Sequence, residues 1–561
     1  MNFQSPSTST TSLPARPSRG LVLFLALLTL AQTIRWFLPD YLRADIFSDD
    51  AAQHIWWTQR FADPGLFPHD FIADFFSRPV FAPPGWQAIF HLLVPLWGDA
   101  QAVSEVIPFL LAAPVALLAF CLGWHISGRS VLGGTIATLG LLMTRLFNTF
   151  EAGFPRSFAL VLLMLGTWAV LSRRLAWLGG AFVLSAIFYP PMIINLGLFS
   201  AAVLGWRWWR ERKLPDGWRS LMALGFAAAL IVVWNNTRGI PPDLGPKVTL
   251  AEARAMPEFG PRGRSQFFSN DAVAYWIEGS RSGLGIKPAW HGLVAGGIVA
   301  VSTWMWPRIV AFEVWALAVT ALMSFGVAHA TLFTLHLPNR YVSTAFDLVS
   351  LLWVTAMLSH ALSALRQTPL GRRFVAILVR PAVLRPLAVA VLAVFAVRAM
   401  NRVTSTLHRP TRADWEQTLA FLRTLPKDTL VAAHPKDADL VPLRSYRSVL
   451  ISKETSLPYY RGYYQRASER VDAALAACFA SDWAQVDALH ERYGADVFLV
   501  DRGRYLDPLK SVYFAPFSTA TRTQIQRGLK EGFVLSDPPP DRVLFTRGDL
   551  AVVRLGPPRS E

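Results

Sequence analysis

Apolar windows about 20 residues long recur from Leu21 to Val397 and then stop. A helix needs about 20 mostly apolar residues to cross a hydrocarbon core about 30 Å thick. Lipid offers backbone N–H and C=O groups no partner, so such stretches must cross as helices. The first 400 residues therefore have to form a bundle of membrane helices, and residues 401–561 must fold by other means. Composition agrees. Only 16% of the 561 residues are charged and 53% are hydrophobic, where a soluble chain has nearer a quarter charged.

Span length alone places helices at 20–39, 103–124, 131–148, 157–172, 175–189, 192–206, 219–235, 289–306, 309–328, 342–364 and 383–398, about eleven in all. Charge tests this layout. The loops it puts on the N-terminal side hold Arg16, Arg19, Arg129, Arg173, Arg174, Arg207, Arg210, Arg212, Lys213, Arg219, Arg308, Arg366, Arg372, Arg373, Arg380 and Arg385, against only Glu211 and Asp216. Basic residues gather in cytoplasmic loops, so these loops read as inside. An odd count then puts the C-terminal part outside. The expected organisation is a disordered cytoplasmic tail over 1–19, a transmembrane domain over 20–400 and an extracytoplasmic α/β domain over 401–561.

The net charge of +16 is spread over short loops between spans, which argues for topology and against a nucleic-acid partner. Two cysteines, Cys121 in a span and Cys478 beyond the last one, make no disulfide framework. The tail is Ser/Thr/Pro-rich, and no small-residue cleavage pattern follows the first apolar run, so that run reads as an uncleaved span.

Four segments share the outer face: the loop 40–102, the turn 148–156, the loop 236–288 and the turn 337–341. In the first, 49–61 and 88–96 read as short interfacial helices, with Trp56, Trp57 and Trp86 suited to the headgroup layer. The 236–288 loop is rich in Pro, Gly and Arg without strong periodicity, which reads as a mobile functional loop. Past Pro410 the pattern changes. Helices are expected at 414–425, 467–480 and 482–493, strands at 429–433, 448–452 and 496–500, and a hairpin over 543–553 turning near Gly548. Alternating helix and strand spells a small α/β domain.

The chemistry-bearing residues cluster at outer span edges. Asp49 and Asp50 follow the first span, and charge at a membrane edge usually marks a function. One carboxylate can serve as a general base, or a pair can hold a metal; both could equally cap the helix that follows. His54 lies one turn on, able to pair with Asp50 or touch a phosphate. Glu151 and Arg156 share a short outer turn. A cation at the start of a span opposes the helix dipole, so Arg156 calls for an anion, either Glu151 or a lipid phosphate. Arg340 and Tyr341 open another span, where a guanidinium fits a phosphate and the tyrosine an interface. The turn Ala433-His434-Pro435, with Asp437 and Asp439 near it, is explained as well by a strand end as by a site. No phosphate-binding glycine loop, zinc spacing or Gly-x-Ser-x-Gly occurs.

A first span, an outer loop opening on Asp49-Asp50, a multispan body and an outer C-terminal domain together resemble the GT-C-fold glycosyltransferases, which use polyprenyl-phosphate sugars. Ser48–Phe75 and Leu337–Tyr341 look more like an uncharacterised bacterial branch than like its protein mannosyl-, aminoarabinose or oligosaccharyl-transferases. The resemblance implies a multi-pass enzyme of the bacterial inner (plasma) membrane, a hexosyl- or pentosyltransferase that moves a sugar from a lipid-linked donor to an acceptor at the outer face. It implies Asp49 as base, Asp50 as its acidic neighbour, Glu151 as a second acidic residue and Arg340 at the donor phosphate; residue type and position add His54, Arg156 and Tyr341 around the substrate. It makes no cofactor certain; a divalent cation, if used, would fall to Asp50 and Glu151. The pair is Asp-Asp where the family more often has Asp-Glu, and no sequon-reading motif is visible. The competing readings are a transporter or flippase for lipid-linked glycans, which should show mid-span breaks and a repeat between halves, and a non-catalytic assembly or sensing protein of the same fold.

Overall fold

The computed structural model describes residues 16–43, 45, 48–237, 239–307, 309–335, 337–378 and 380–556. The tail expected over 1–19 lies largely, and Arg308 wholly, outside them.

Each of the eleven expected stretches is helical. Among the described residues, six helices are long and apolar enough to cross a membrane: Arg19–Leu42, Ala100–Ile126, Trp218–Thr237, Phe312–Ala330, Asn339–Gln367 and Pro381–Leu407. A bent pair, Val131–Met143 with Arg145–Gly153, makes a seventh if it counts as one span. The bend is 62° and interrupts the single helix expected over 131–148. Ala159–Leu171 and Leu175–Phe188 are shorter, and Pro191–Glu211 ends in the charged run Arg207–Glu211. Helix Arg19–Leu42 starts at Ser18, whose hydroxyl accepts from Leu21 N at 3.2 Å, and packs on Pro381–Leu407 and Ala100–Ile126. Large apolar side chains stay outward along the bundle, such as Leu293 and Trp304 at 78% and 84% exposed, as a lipid-facing surface requires.

The loop 40–102 folds inward. Its short helices Ala51–His54, Phe71–Phe76 and Pro84–Trp97 carry aromatic side chains into the body. Trp56, Trp57 and Trp86 were expected in the headgroup layer, yet all are at most 3% exposed. Trp56 meets Phe67 edge-on at 4.7 Å, and Trp86 lies 4.2 Å from Phe90. A loop long enough to return on itself buries its rings against neighbours instead of leaving them in headgroups. Helix Pro84–Trp97 alone keeps an exposed apolar edge, Leu92, Leu96 and Trp97.

The 236–288 loop is also ordered. Leu250–Ala255 opens on a capping box between Thr249 and Glu252. Val248, Ala253, Phe259 and Phe267 form a small core with Phe333 and Leu337. Its backbone reaches the C-terminal domain through Val248 N to Tyr459 O at 3.0 Å.

That domain holds a five-stranded sheet of β1 (Leu430–Ala433), β2 (Ser448–Val449), β3 (Val497–Asp501), β4 (Val543–Arg547) and β5 (Leu550–Arg554), in the order β2-β1-β3-β5-β4. β2, β1 and β3 run parallel; β5 and β4 complete it antiparallel. Alternation sorts the side chains. Ala432, Phe498, Val500, Ala551 and Val553 join the main core, and Val431, Ala433, Leu499 and Val552 face a second cluster with Leu419 and Leu422. The main core runs without a break from Leu28 in the first helix to Leu555 after the sheet.

Candidate active site

Residues 48–54 form a tight turn. Ser48 O accepts from Ala51 N at 2.9 Å, and Asp50 O accepts from Gln53 N and His54 N at 3.1 and 3.0 Å. Asp49 accepts from the N–H of Asp50 at 3.0 Å and is otherwise exposed. Asp50 precedes the helix but makes no side-chain cap bond. Its carboxylate meets Arg156 Nη2 at 2.5 Å instead. Capping therefore does not account for Asp50, and the anion that Arg156 required is Asp50, not Glu151.

The turn that supplies Arg156 is a chain of three short 3-10 turns: Arg145–Asn148, Glu151–Gly153 and Pro155–Phe158. Ala152 and Gly153 both take positive φ, 58° and 59°. Gly153 is required there, because an added Cβ would lie 2.3 Å from Ser104 O. Trp86 Nε1 donates to Gly153 O at 2.8 Å and ties the turn to the 40–102 loop. Glu151 accepts from Asn148 Nδ2 at 3.0 Å and feels the charges of Asp49 and Asp50.

Arg340 sits in the first turn of helix Asn339–Gln367. Asn339 fixes that start by donating its side-chain amide to Gly283 O at 2.8 Å and its N–H to Arg281 O at 3.2 Å. Asn195 Nδ2 donates to Tyr341 O at 2.8 Å. Tyr341 itself is 2% exposed, turned into the core. Arg340 lies within electrostatic reach of Arg156, Asp50 and Tyr189, and among the described residues it has no ion-pair partner. His54 feels Asp50, Arg156 and Arg340 together. Burial pushes its pKa down to about 4 against the pull of Asp50, so the imidazole is neutral at pH 7. The Arg156 guanidinium also covers the Phe154 ring at 5.6 Å, and His54 lies 6.1 Å from the same ring.

Beside the acidic pair is a cavity of about 250 Å³, lined by Phe37, Asp40, Ser48, Glu105, Pro108, Glu151 and Ala152. Three of its side chains are carboxylates. Sequence reasoning picked out Glu151 and missed the other two. The signal was present: Glu105 stands inside an apolar span, where an ionisable side chain is a functional candidate by default. It is 8% exposed and accepts from Gln101 Nε2 at 2.9 Å. The buried Tyr189 was missed as well, its Pro-Pro neighbours drawing attention to the turn alone.

The site thus has a cationic half, Arg156 and Arg340 with His54 and Tyr189, and an acidic half around the cavity, with Asp50 between them and Asp49 on the acidic side. Asp50 and Glu151 do not fit a divalent cation as they stand. Asp50 is engaged by Arg156, Glu151 by Asn148, and the described residues contain no group of three carboxylate, imidazole or thiol ligands arranged for a metal. The strand-end turn lies apart from this site. His434 is buried with Nε2 3.3 Å from Ser511 O, and Asp437 forms a two-pronged ion pair with Arg504, so that turn is internally satisfied.

No family model matches the chain. No curated protein matches it either. Among solved structures, it is similar to the Archaeoglobus fulgidus oligosaccharyltransferase in the apo form, with 11% identity and a TM-score of 0.47 over 88% of this chain and 71% of that one. It is similar to the archaeal oligosaccharyltransferase AglB of the same organism in complex with an inhibitory peptide and a dolichol-phosphate, with 12% identity and a TM-score of 0.46 over 90% and 72%. The same organism's enzyme in complex with Zn and sulfate matches at 12% identity and TM-score 0.46, over 89% and 70%.

Proposed function

We propose that the chain is a multi-pass membrane glycosyltransferase that moves a sugar from a polyprenyl-phosphate-linked donor to an acceptor at the outer face, with residues 401–561 on that side. The observation that carries the reading is the meeting of Arg156 and Arg340. Asp50 pairs with Arg156, Glu151 also feels the Arg156 charge, and Arg340, within reach of both Arg156 and Asp50, has no ion-pair partner among the described residues. Like charges held together are stabilised by an anion between them, and a guanidinium fork fits phosphate oxygens. A phosphate at this membrane edge, with its lipid tail in the bilayer, supplies that anion.

In this reading the acceptor's attacking oxygen gives its proton to Asp49, the exposed carboxylate on the acidic side. The bond from the anomeric carbon to the phosphate oxygen breaks as the new glycosidic bond forms. Negative charge grows on the leaving polyprenyl phosphate, where Arg340 and Arg156 offset it without rearrangement. Neutral His54 contributes hydrogen bonding and no charge. Asp50 holds Arg156 in place. The carboxylate-lined cavity offers hydrogen-bond acceptors to the acceptor substrate.

Transfer from a polyprenyl-phosphate sugar, followed in vesicles containing the purified chain, tests this. D49N should lower turnover by roughly 10²- to 10⁴-fold, the usual worth of a positioned base, with folding unchanged. R340Q should weaken donor use while R340K restores part of it. Full transfer by D49N removes Asp49 as base. No transfer by the wild-type chain with any lipid-linked donor removes the reading.

A further inference from the structure

We infer that the helix Pro369–Leu378 is a docking surface for an anionic phospholipid leaflet, on the membrane face opposite the candidate active site. Its place in the chain sets its depth. It joins the C-terminal end of Asn339–Gln367 to the N-terminal end of Pro381–Leu407, both long and apolar enough to cross. Ten residues of helix reach about 15 Å, half the thickness of a hydrocarbon core, so the segment must stay at one face. Arg340 stands at the other end of Asn339–Gln367, which places this helix across the membrane from it.

The join is built, not slack. Thr368 leaves the helical conformation, and its hydroxyl accepts from Gly371 N at 3.0 Å, capping the new helix ahead of Pro369. Gly371 passes so near the preceding helix that an added Cβ would sit 1.9 Å from Leu365 O. The helix is therefore held against the end of its predecessor in one orientation.

Its surface has two characters. Leu370, Phe374 and Ile377, spaced i, i+4 and i+7, form one stripe and are 77%, 56% and 49% exposed. Arg373 is exposed on the flank of that stripe, and Arg372 is exposed on the far side of the helix. No aspartate or glutamate occurs between Asp347 and Asp414, while Arg366, Arg372, Arg373, Arg380 and Arg385 fall around the turn. An apolar stripe edged by unopposed arginines is the pattern of a helix lying in the headgroup layer of an anionic leaflet. Zwitterionic lipid would cover the stripe and leave the arginines without a counter-charge.

Hydrogen exchange of the full chain in nanodiscs tests this, with phosphatidylcholine alone or mixed with phosphatidylglycerol. A basic residue near such a surface is worth about fivefold, so Arg373 should slow exchange of the segment 369–380 by about fivefold in the mixed lipid. R372Q/R373Q should erase that difference, and R372K/R373K should keep it. R522Q/R527Q, on the exposed face of the C-terminal helix Ser518–Glu531, should leave it unchanged. Equal exchange in the two lipids overturns the inference, as does a difference that survives R372Q/R373Q; either outcome would assign the stripe to a protein partner or to lipid without charge selectivity.

Discussion

Asp50 and Arg156 are side chains whose meaning changed once their partner was known. In sequence each has a local explanation, a helix cap and an intra-turn pair. In the structure each serves the other at 2.5 Å, leaving Asp49 as the unpaired, exposed member of the pair. His54 completes this cluster and carries a pH signature. Its pKa falls from 6.5 to about 4 because burial disfavours the imidazolium. Below pH 6.5 the unfolded chain takes up a proton that the folded site refuses. Stability should therefore drop as pH falls from about 6.5 to about 4, and be flat above that window. Thermal unfolding of wild type and H54N across this range checks the point: the wild-type midpoint should decline more steeply. Parallel curves would show that His54 does not titrate as its surroundings demand. Asp49, Arg156 and Arg340 were legible as candidates because charge beside an apolar span is conspicuous. Glu105 was passed over because the span drawn over 103–124 absorbed it, and Asp40 because it stands at the very edge of the first span, ahead of the more conspicuous Asp49-Asp50 pair.

At the scale of elements, the turn 145–158 holds the candidate site together. It carries Glu151 and Arg156, takes left-handed backbone at Ala152 and Gly153, and receives the Trp86 indole N–H. Replacing Gly153 by alanine forces a methyl against Ser104 O and strains φ. G153A should cost about 1–3 kcal/mol and reduce sugar transfer, since both site residues ride on the turn. W86F removes one hydrogen bond and leaves a gap where a fully buried indole packed, so it should cost about 2–4 kcal/mol while keeping most of the turnover. Unfolding midpoints and turnover of the two variants compare these; equal losses of turnover would mean that the glycine's conformation is not what positions the site. Apolar spacing located helices at every expected stretch, yet it did not reveal the 62° bend after Met143. Periodicity reports which face is apolar and says nothing of where a helix turns away.

Across the whole molecule, the 40–102 and 236–288 loops are the mortar between the bundle and the C-terminal sheet. Phe75 stacks on Tyr463 at 3.8 Å with 11° between the rings, and the Tyr463 hydroxyl donates to Thr455 O at 2.8 Å. Arg264 pairs with Glu454 at 2.5 Å, and Tyr464 donates to Glu258 at 2.7 Å. Y463A removes a fully buried ring from this seam and should cost about 3–5 kcal/mol, whereas Y463F forfeits about 1 kcal/mol of hydrogen bonding. Unfolding monitored in both parts should fall together in Y463A. A bundle that keeps its midpoint while the C-terminal domain loses its own would show two independent units, against the continuous core from Leu28 to Leu555.

What the amino-acid sequence determined by itself was whatever depends on neighbours a few residues away. Long apolar runs decided the helical body, short apolar runs decided β1, β3 and the β4–β5 hairpin, and the Asp49-Asp50 pair announced a candidate site. Tertiary structure alone decided that Arg156 answers to Asp50, that Asp40, Glu105 and Glu151 share one cavity, and that Trp56, Trp57 and Trp86 turn inward. Those outcomes join residues tens to more than a hundred positions apart. They follow from how the long 40–102 and 236–288 loops return on the body, and burial of their rings, not any local spacing, sets that path.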